Sequence, residues 1–144
     1  IGDGRRCYPW QLEAALSERT AAVAYLCSPF VSRRALPLEE VCEITHARGV
    51  PVIVDAASML PPRANLRKYI QQGADMVIYS GGKAVRGPQG TGILCGRADL
   101  IEAAAATVSA DGYLQIQEAE LLRAISDSLG CPMPPLAIAL KTAA

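Results

Sequence analysis

The sequence predicts an α/β protein: a three-layer α/β/α domain with a mostly parallel sheet whose last strand is antiparallel. Three observations predict it. Short apolar runs of strand length alternate with amphipathic stretches of helical period. Turn residues punctuate the runs, namely Ser28-Pro29, Gly49, Gly73 and Gly81-Gly82. The last connection, residues 80–90, is short and has no helical pattern. A parallel crossover takes a dozen or more residues, usually a helix, so the strand after this turn must run back against its neighbour.

The elements follow in order. Pro9 to Glu18 carries Trp10, Leu12, Ala15 and Leu16 at the spacing of a short amphipathic helix. Ala21 to Cys27 (AAVAYLC) is a continuous apolar run, a strand that Ser28-Pro29 stops. Leu38 to Arg48 is a helix with Leu38, Val41, Cys42 and Ile44-Thr45 on one face and Glu39, Glu40 and Glu43 on another. Pro37 opens it, acidic residues fill its first turn and Gly49 ends it. Val50 to Val54 (VPVIV) is a buried strand ending at Asp55, and the polar loop Pro61-Pro62-Arg63 comes next. Asn65 caps a helix that runs to about Gln72, and Gly73 closes it. Ala74 to Tyr79 (ADMVIY) and Thr91 to Cys95 (TGILC) are two further strands, and Ala98 to Ala106 reads as an alanine-rich helix.

The predicted order is therefore α-β-α-β-α-β-β-α. Its first three strands are parallel, joined by right-handed crossovers, and helices cover both faces of the sheet. Residues 1–109 form one unit and 110–144 a helical continuation. Within that continuation Glu118 to Leu129 spaces Leu121, Leu122, Ile125 and Leu129 along one stripe, and Cys131-Pro132-Met133-Pro134-Pro135 breaks it.

Composition narrows the class. The chain of 144 residues is 51% hydrophobic and 19% charged, which suits one domain with a sizeable core. Its 14 basic and 14 acidic residues balance, so no global charge draws it to nucleic acid or to a membrane surface. Arg33-Arg34 and the group Arg63, Arg67 and Lys68 read as solvated surface. Cys7, Cys27, Cys42, Cys95 and Cys131 form no CxxC pair and read as reduced thiols of a cytoplasmic protein. With a single histidine, His46, the sequence carries no zinc-site pattern and no metal site is expected. His46 itself reads as a surface residue facing the C-terminal dipole of its helix. No apolar stretch reaches bilayer length, and no basic segment followed by an apolar run opens the chain. A start at Ile1 followed by Gly2-Asp3-Gly4 reads as part of something longer.

Ligands of open α/β sheets bind beyond the carboxyl ends of the parallel strands. Three such ends can be named: Cys27-Ser28, Asp55, and Ser80-Gly81-Gly82-Lys83. A carboxylate and an amine thus emerge at one edge of the sheet. Asp55 can cap a helix, close a sheet-end ion pair, or hold the proton of a pyridine nitrogen; a buried carboxylate there needs such a partner to keep its charge. Lys83 can be a loop lysine in water or a desolvated amine suited to Schiff-base chemistry, with two glycines permitting close approach to a ligand. The Walker pattern GxxxxGK[ST] is absent. Ser80 can reach a phosphate oxygen or bond its own turn. Ser58 can face a ring or its phenolic oxygen. Arg86 and Gln89 flank the lysine turn as substrate or phosphate contacts or as ordered surface, and Thr91 is a further phosphate candidate.

The runs VPVIVDAASMLPPRANL and GADMVIYSGGKAVRGPQGTGILCGRADLI resemble fold type I pyridoxal phosphate enzymes. Within these, the likeness is to the group of bacterial selenocysteine synthase (seryl-tRNA selenium transferase) and D-glucosaminate 6-phosphate ammonia lyase. It covers residues 36–102 well and 1–35 loosely, and it fades after about Ala103. The resemblance implies pyridoxal 5'-phosphate as cofactor. It gives Asp55 the pyridine nitrogen, Lys83 the Schiff base and Ser80 a phosphate contact. It also implies that residues 1–109 are the central part of a larger cofactor-binding domain, in a homo-oligomer with sites near the subunit interface. The family's upstream phosphate loop and downstream small domain have no counterpart in this sequence.

The expected activity is α,β-elimination, either an ammonia lyase acting on an amino-acid-like or amino-sugar-acid substrate or a selenium-transferase-like reaction. The balanced charge favours the small substrate, with tRNA left open. A class V aminotransferase or cysteine desulfurase is the second reading, since fold does not fix reaction type. A desulfurase needs a nucleophilic cysteine on a mobile loop, whereas Cys27 and Cys95 are expected in strands. A truncated, non-catalytic domain is the third.

Overall fold

The computed structural model describes residues 1–2, 6–31 and 33–108, together with the backbone of 113–114 and 139–140. The elements are α1 (Pro9–Ala15), β1 (Val23–Leu26), α2 (Leu38–His46), β2 (Val52–Asp55), α3 (Asn65–Gln71), β3 (Met76–Ser80), β4 (Gly92–Gly96), α4 (Ala98–Val108), β5 (Tyr113–Leu114) and β6 (Ala139–Leu140). The main sheet has the order β1-β2-β3-β4, and β5 pairs with β6 apart from it. β1, β2 and β3 are parallel and β4 runs antiparallel to β3, as the short 80–90 connection required. The helix expected over 118–129 lies outside the described residues.

Half of the predicted boundaries move inward by one to three residues, and the rest stay in place or extend by one or two. Two moves have a clear cause. β1 ends at Leu26, so Cys27 stands one residue beyond the strand, although its N–H still bonds the Asp55 carbonyl at 2.8 Å. α3 begins at Asn65 itself, with Ala64 before it, so Asn65 is not a cap. Its side chain instead donates backward to the Met59 carbonyl.

The strand order β1-β2-β3 advances in one direction, and parallel crossovers share one hand as a rule. That geometry puts α2 and α3 on the same face of the sheet. There Val52, Val54, Val77 and Tyr79 are fully buried, packed with Leu38, Val41 and Cys42 of α2 and Tyr69 of α3. Each valine contributes roughly 1.5–3 kcal/mol on burial. The alternation of the strands sends Leu26, Asp55 and Ile78 to the other face. They are direct register neighbours across β1, β2 and β3. Leu26 is 51% and Ile78 40% exposed, so this face is open around Asp55 in the chain described. The expectation of a buried Asp55 side chain is thereby corrected: its backbone is enclosed by the sheet while its carboxylate is exposed.

At the opposite end of the strands the sheet is closed by one carboxylate. Asp75, 6% exposed, precedes β3. Its Oδ2 accepts the Val52 N–H at 2.8 Å and pairs with His46 Nε2 at 2.7 Å. Its Oδ1 accepts Arg97 Nη1 at 3.0 Å, and Arg97 also grips Asp99 at 2.7 Å. The start of β2, the end of α2 and the β4–α4 junction thus meet on one side chain. Gly96 is required here, because a Cβ would strike the Asp75 carbonyl and come within 2.8 Å of Met76 Cα. His46 is therefore more than a surface histidine facing a dipole: it is half exposed and tied to the core through Asp75. Burial alone would raise the Asp75 pKa, but the bonds from Val52, His46 and Arg97 prevail and hold it below the ordinary 3.8.

Asp75→Ala strands the buried Val52 N–H and is expected to cost about 3 kcal/mol, read from urea unfolding. The folded pKa is depressed, so the stabilisation is present above the unfolded value of 3.8 and is lost as pH falls through the lower folded value. The gap in urea midpoint between the wild type and Asp75→Asn should therefore close on acidification below that value. A gap that persists there would contradict the assignment.

Candidate active site

Asp55 is held on both sides by the ladder. Its carbonyl accepts the Cys27 N–H at 2.8 Å, and the next residue, Ala56, donates to Ile78 at 2.9 Å. One carboxylate oxygen, Oδ1, accepts the Ala57 N–H at 3.0 Å. That bond folds the chain back after β2 and starts the loop that carries Ser58. The side chain as a whole is exposed.

Lys83 stands in the turn after β3, three residues past Ser80. The turn binds itself. Gly81 N–H donates to Thr91 O and Gly87 N–H to Gly81 O, both at 2.8 Å. Thr91 Oγ1 donates to Pro88 O at 2.7 Å and Gln89 Nε2 to Gly82 O at 3.3 Å. The sequence reading gave Gly81 and Gly82 the task of admitting a ligand. In the structure they admit the other arm of the turn: a Cβ on Gly81 would strike Thr91 Oγ1, and one on Gly82 would stand 2.7 Å from Gln89 Oε1. Arg86 takes a left-handed φ of 59°, which costs a side-chain-bearing residue roughly 1–2 kcal/mol. The bond from Arg86 N–H to Lys83 O at 3.0 Å helps hold it there.

From this turn Lys83 Nζ donates to Ser58 Oγ at 2.7 Å. That contact joins the turn after β3 to the loop after β2. The structure thus brings together Lys83 and Ser58, with Asp55 at the base of the same loop and Ser80 at the end of β3. Arg86 is exposed beside them, while Gln89 and Thr91 brace the turn. Of the two settings the sequence left open for Lys83, a loop lysine in water and a desolvated amine, the structure shows an exposed side chain. Sequence reasoning missed Asn65, whose Nδ2 bonds Met59 O at 2.5 Å, next to Ser58. Its capping signal drew attention to the helix and away from the loop before it.

Among known proteins, the family model described as "Aminotransferase class-V" matches residues 2–126. The chain belongs to the class-V aminotransferase family. Pyridoxal 5'-phosphate is the cofactor of that family. The chain is 44% identical over 98 residues to a 5'-C-glycyluridine monooxygenase-decarboxylase of a Streptomyces species, which covers 67% of this chain and 23% of the relative. It is 38% identical over 104 residues to the D-glucosaminate-6-phosphate ammonia lyase of Salmonella typhimurium, 72% of this chain and 27% of the relative. It is 30% identical over 117 residues to the L-seryl-tRNA(Sec) selenium transferase of Desulfovibrio desulfuricans, 71% of this chain and 24% of the relative. A solved structure of D-glucosaminate-6-phosphate ammonia-lyase superposes with a TM-score of 0.65 at 35% identity, over 76% of this chain and 28% of that one. The chain thus spans about a quarter of the length of these relatives.

The residues present fit the family's cofactor. An amine reaches across the sheet edge to a hydroxyl, and an exposed carboxylate stands on the neighbouring strand. No group of three or more His, Cys, Asp or Glu among the described residues could hold a metal ion.

Gly81→Ala should lower stability by about 1–3 kcal/mol, because the added methyl forces the two arms of the lysine turn apart. Adding Thr91→Ala should recover only part of the loss, since the Thr91 carbonyl oxygen still stands 2.9 Å from the new carbon. Thermal melts of the single and double variants read this. Full recovery would show that only the threonine side chain resists.

Proposed function

We propose that this segment supplies the reactive amine and the ring-nitrogen partner of a pyridoxal phosphate enzyme in the intact protein. The observation that carries the reading is the Lys83–Ser58 bond, which places the amine over the loop that leaves Asp55. The cofactor, when bound, supplies an aldehyde that condenses with amines and a pyridinium ring that takes up electron density. Lys83 would hold the aldehyde through its Nζ, and that amine would move a proton at the carbon beside the substrate nitrogen. Ser58 orients that Nζ by accepting its hydrogen bond. Asp55, with its exposed carboxylate, would hold the proton of the ring nitrogen. Ser80, at the end of β3, and Arg86, exposed in the turn, are positioned for anionic groups of cofactor or substrate.

The reaction class we favour is elimination from a small amino-acid-like or amino-sugar-acid substrate, in an enzyme that works as a homo-oligomer. Two findings support it: the relative and the solved structure that both bear the name of an ammonia lyase acting on D-glucosaminate 6-phosphate, and the balance of 14 basic and 14 acidic residues, which offers no surplus for RNA. Selenium-transferase-like chemistry is the second reading, supported by the likeness to the L-seryl-tRNA(Sec) transferase. A desulfurase reading has relatives of that name, one of them 33% identical over 92 residues. Among the described residues, Cys95 serves it poorly. Cys95 is fixed in β4 with its pKa pushed up by burial. No helix among the described residues is long and apolar enough to cross a membrane.

Incubation of the full-length protein with pyridoxal 5'-phosphate, followed by borohydride reduction, should label Lys83, as mass spectrometry of the digest would show. Lys83→Ala should abolish the label. Asp55→Ala should weaken cofactor binding by about 10- to 100-fold, the loss of one charge-assisted hydrogen bond. Labelling of a different lysine in the wild type would sink the proposal.

A further inference from the structure

The loop between β2 and α3 has few ways to hold itself. Pro61 and Pro62 have no N–H to give. Main-chain bonds secure its two ends, from Met59 N–H to Ala56 O at 2.9 Å and from Asn65 N–H to Pro62 O at 3.0 Å. Ser58 stands near its crest and accepts from Lys83. Something must fix the height of that crest relative to β3, because Lys83 leaves β3 and the hydroxyl leaves the loop.

Asn65 and Tyr79 provide the fix. Asn65 Nδ2 donates to Met59 O at 2.5 Å, one residue from Ser58. Asn65 O in turn accepts the Tyr79 hydroxyl at 2.6 Å. Tyr79 is fully buried in β3, directly before Ser80, and Asn65 is 9% exposed. The circuit therefore runs from β3 through Tyr79, Asn65 and Met59 to Ser58, and returns to the β3 turn through Lys83. Both ends of the amine–hydroxyl bond are referred to the same strand. Burial pushes the Tyr79 phenol up to about 12, so it remains a protonated donor through neutral and mildly alkaline solution.

We propose that Asn65 and Tyr79 are positioning residues that set the reach of Lys83 by pinning the loop that carries Ser58. Neither touches the reacting atoms. The functional meaning rests on Lys83 being the working amine, as proposed above, but the geometry can be tested without any bound group.

The test measures how fast an amine-acylating reagent modifies Lys83 in the full-length protein freed of carbonyl compounds. Lys68, which sits over the ring of Tyr69, is the internal control. Ser58→Ala should change the Lys83 rate by about 2- to 10-fold, the worth of one hydrogen bond. Tyr79→Phe and Asn65→Ala should each move the Lys83 rate in the same direction and leave Lys68 unchanged. Added to Ser58→Ala, neither should change the rate further, because they act through that hydroxyl. Equal changes at both lysines, additive effects in the double variants, or no change at Lys83 would each overturn the proposal. If Asn65→Ala fails to fold, Tyr79→Phe decides the matter, since it removes a single oxygen. Borohydride labelling of the same variants separates the two proposals: label on another lysine defeats the cofactor reading, whereas a failed acylation pattern defeats only the positioning one.

Discussion

Asp75 receives three donors from three parts of the chain, and the arrangement of the sheet follows from that meeting. The Val52 N–H fixes where β2 starts relative to β3, and His46 fixes where α2 ends. Arg97 fixes where β4 gives way to α4. A buried carboxylate is costly unless it is hydrogen-bonded, and here both of its oxygens are engaged. With the N-terminal ends of β2 and β3 brought level, four- and five-residue strands of fixed rise bring Asp55 and Ser80 out near one another. The working edge of the sheet is placed by what is locked at the other edge.

The two edges are built on different principles. The closed edge uses one buried carboxylate held by partly exposed partners from three parts of the chain. The open edge uses exposed polar side chains whose backbones are rigid. Asp55 has an exposed carboxylate that accepts the Ala57 N–H, on a backbone enclosed by ladder bonds on both sides. Lys83 has an exposed amine that reaches Ser58, on a turn held by Gly81, Gly82, Gln89 and Thr91. A rigid base with an available tip is what a site needs if it is to bind a group and release it in each cycle. Leu26 and Ile78, flanking Asp55 in register, leave an apolar floor beside the carboxylate that suits the face of a flat ring.

The glycines of the SGGK turn show how a motif can carry a physical meaning other than the obvious one. Two glycines before a lysine suggest room for a ligand. The room is taken by Thr91 and Gln89 from the same turn. The motif's value to function is indirect, because tight closure of the turn gives Lys83 a defined starting point. Asn65 is similar, since a residue chosen by every rule for a helix cap instead supports the loop in front of the helix.

The amino-acid sequence by itself determined the element order as far as α4, the parallel run of β1 to β3 and the reversal at β4, but not the short strands β5 and β6, which fall where a helical continuation was expected. Those follow from local periodicity and from the length of one connection, which any reader of the chain can count. It also determined that a carboxylate and an amine leave neighbouring strand ends, because strand ends are local features. Only the tertiary structure decided which side chains meet. His46 and Asp75 are 29 residues apart, Asp75 and Arg97 22, and Ser58 and Lys83 25. Those pairings depend on strand register and crossover hand, which no local pattern encodes. The exposure of Asp55 was decided in the same way, since both crossovers carry their helices to the face opposite its carboxylate. The contact between Lys83 and Ser58, and those that tie Tyr79 to Asn65 and Asn65 to Met59, are likewise pairings that the linear chain does not reveal.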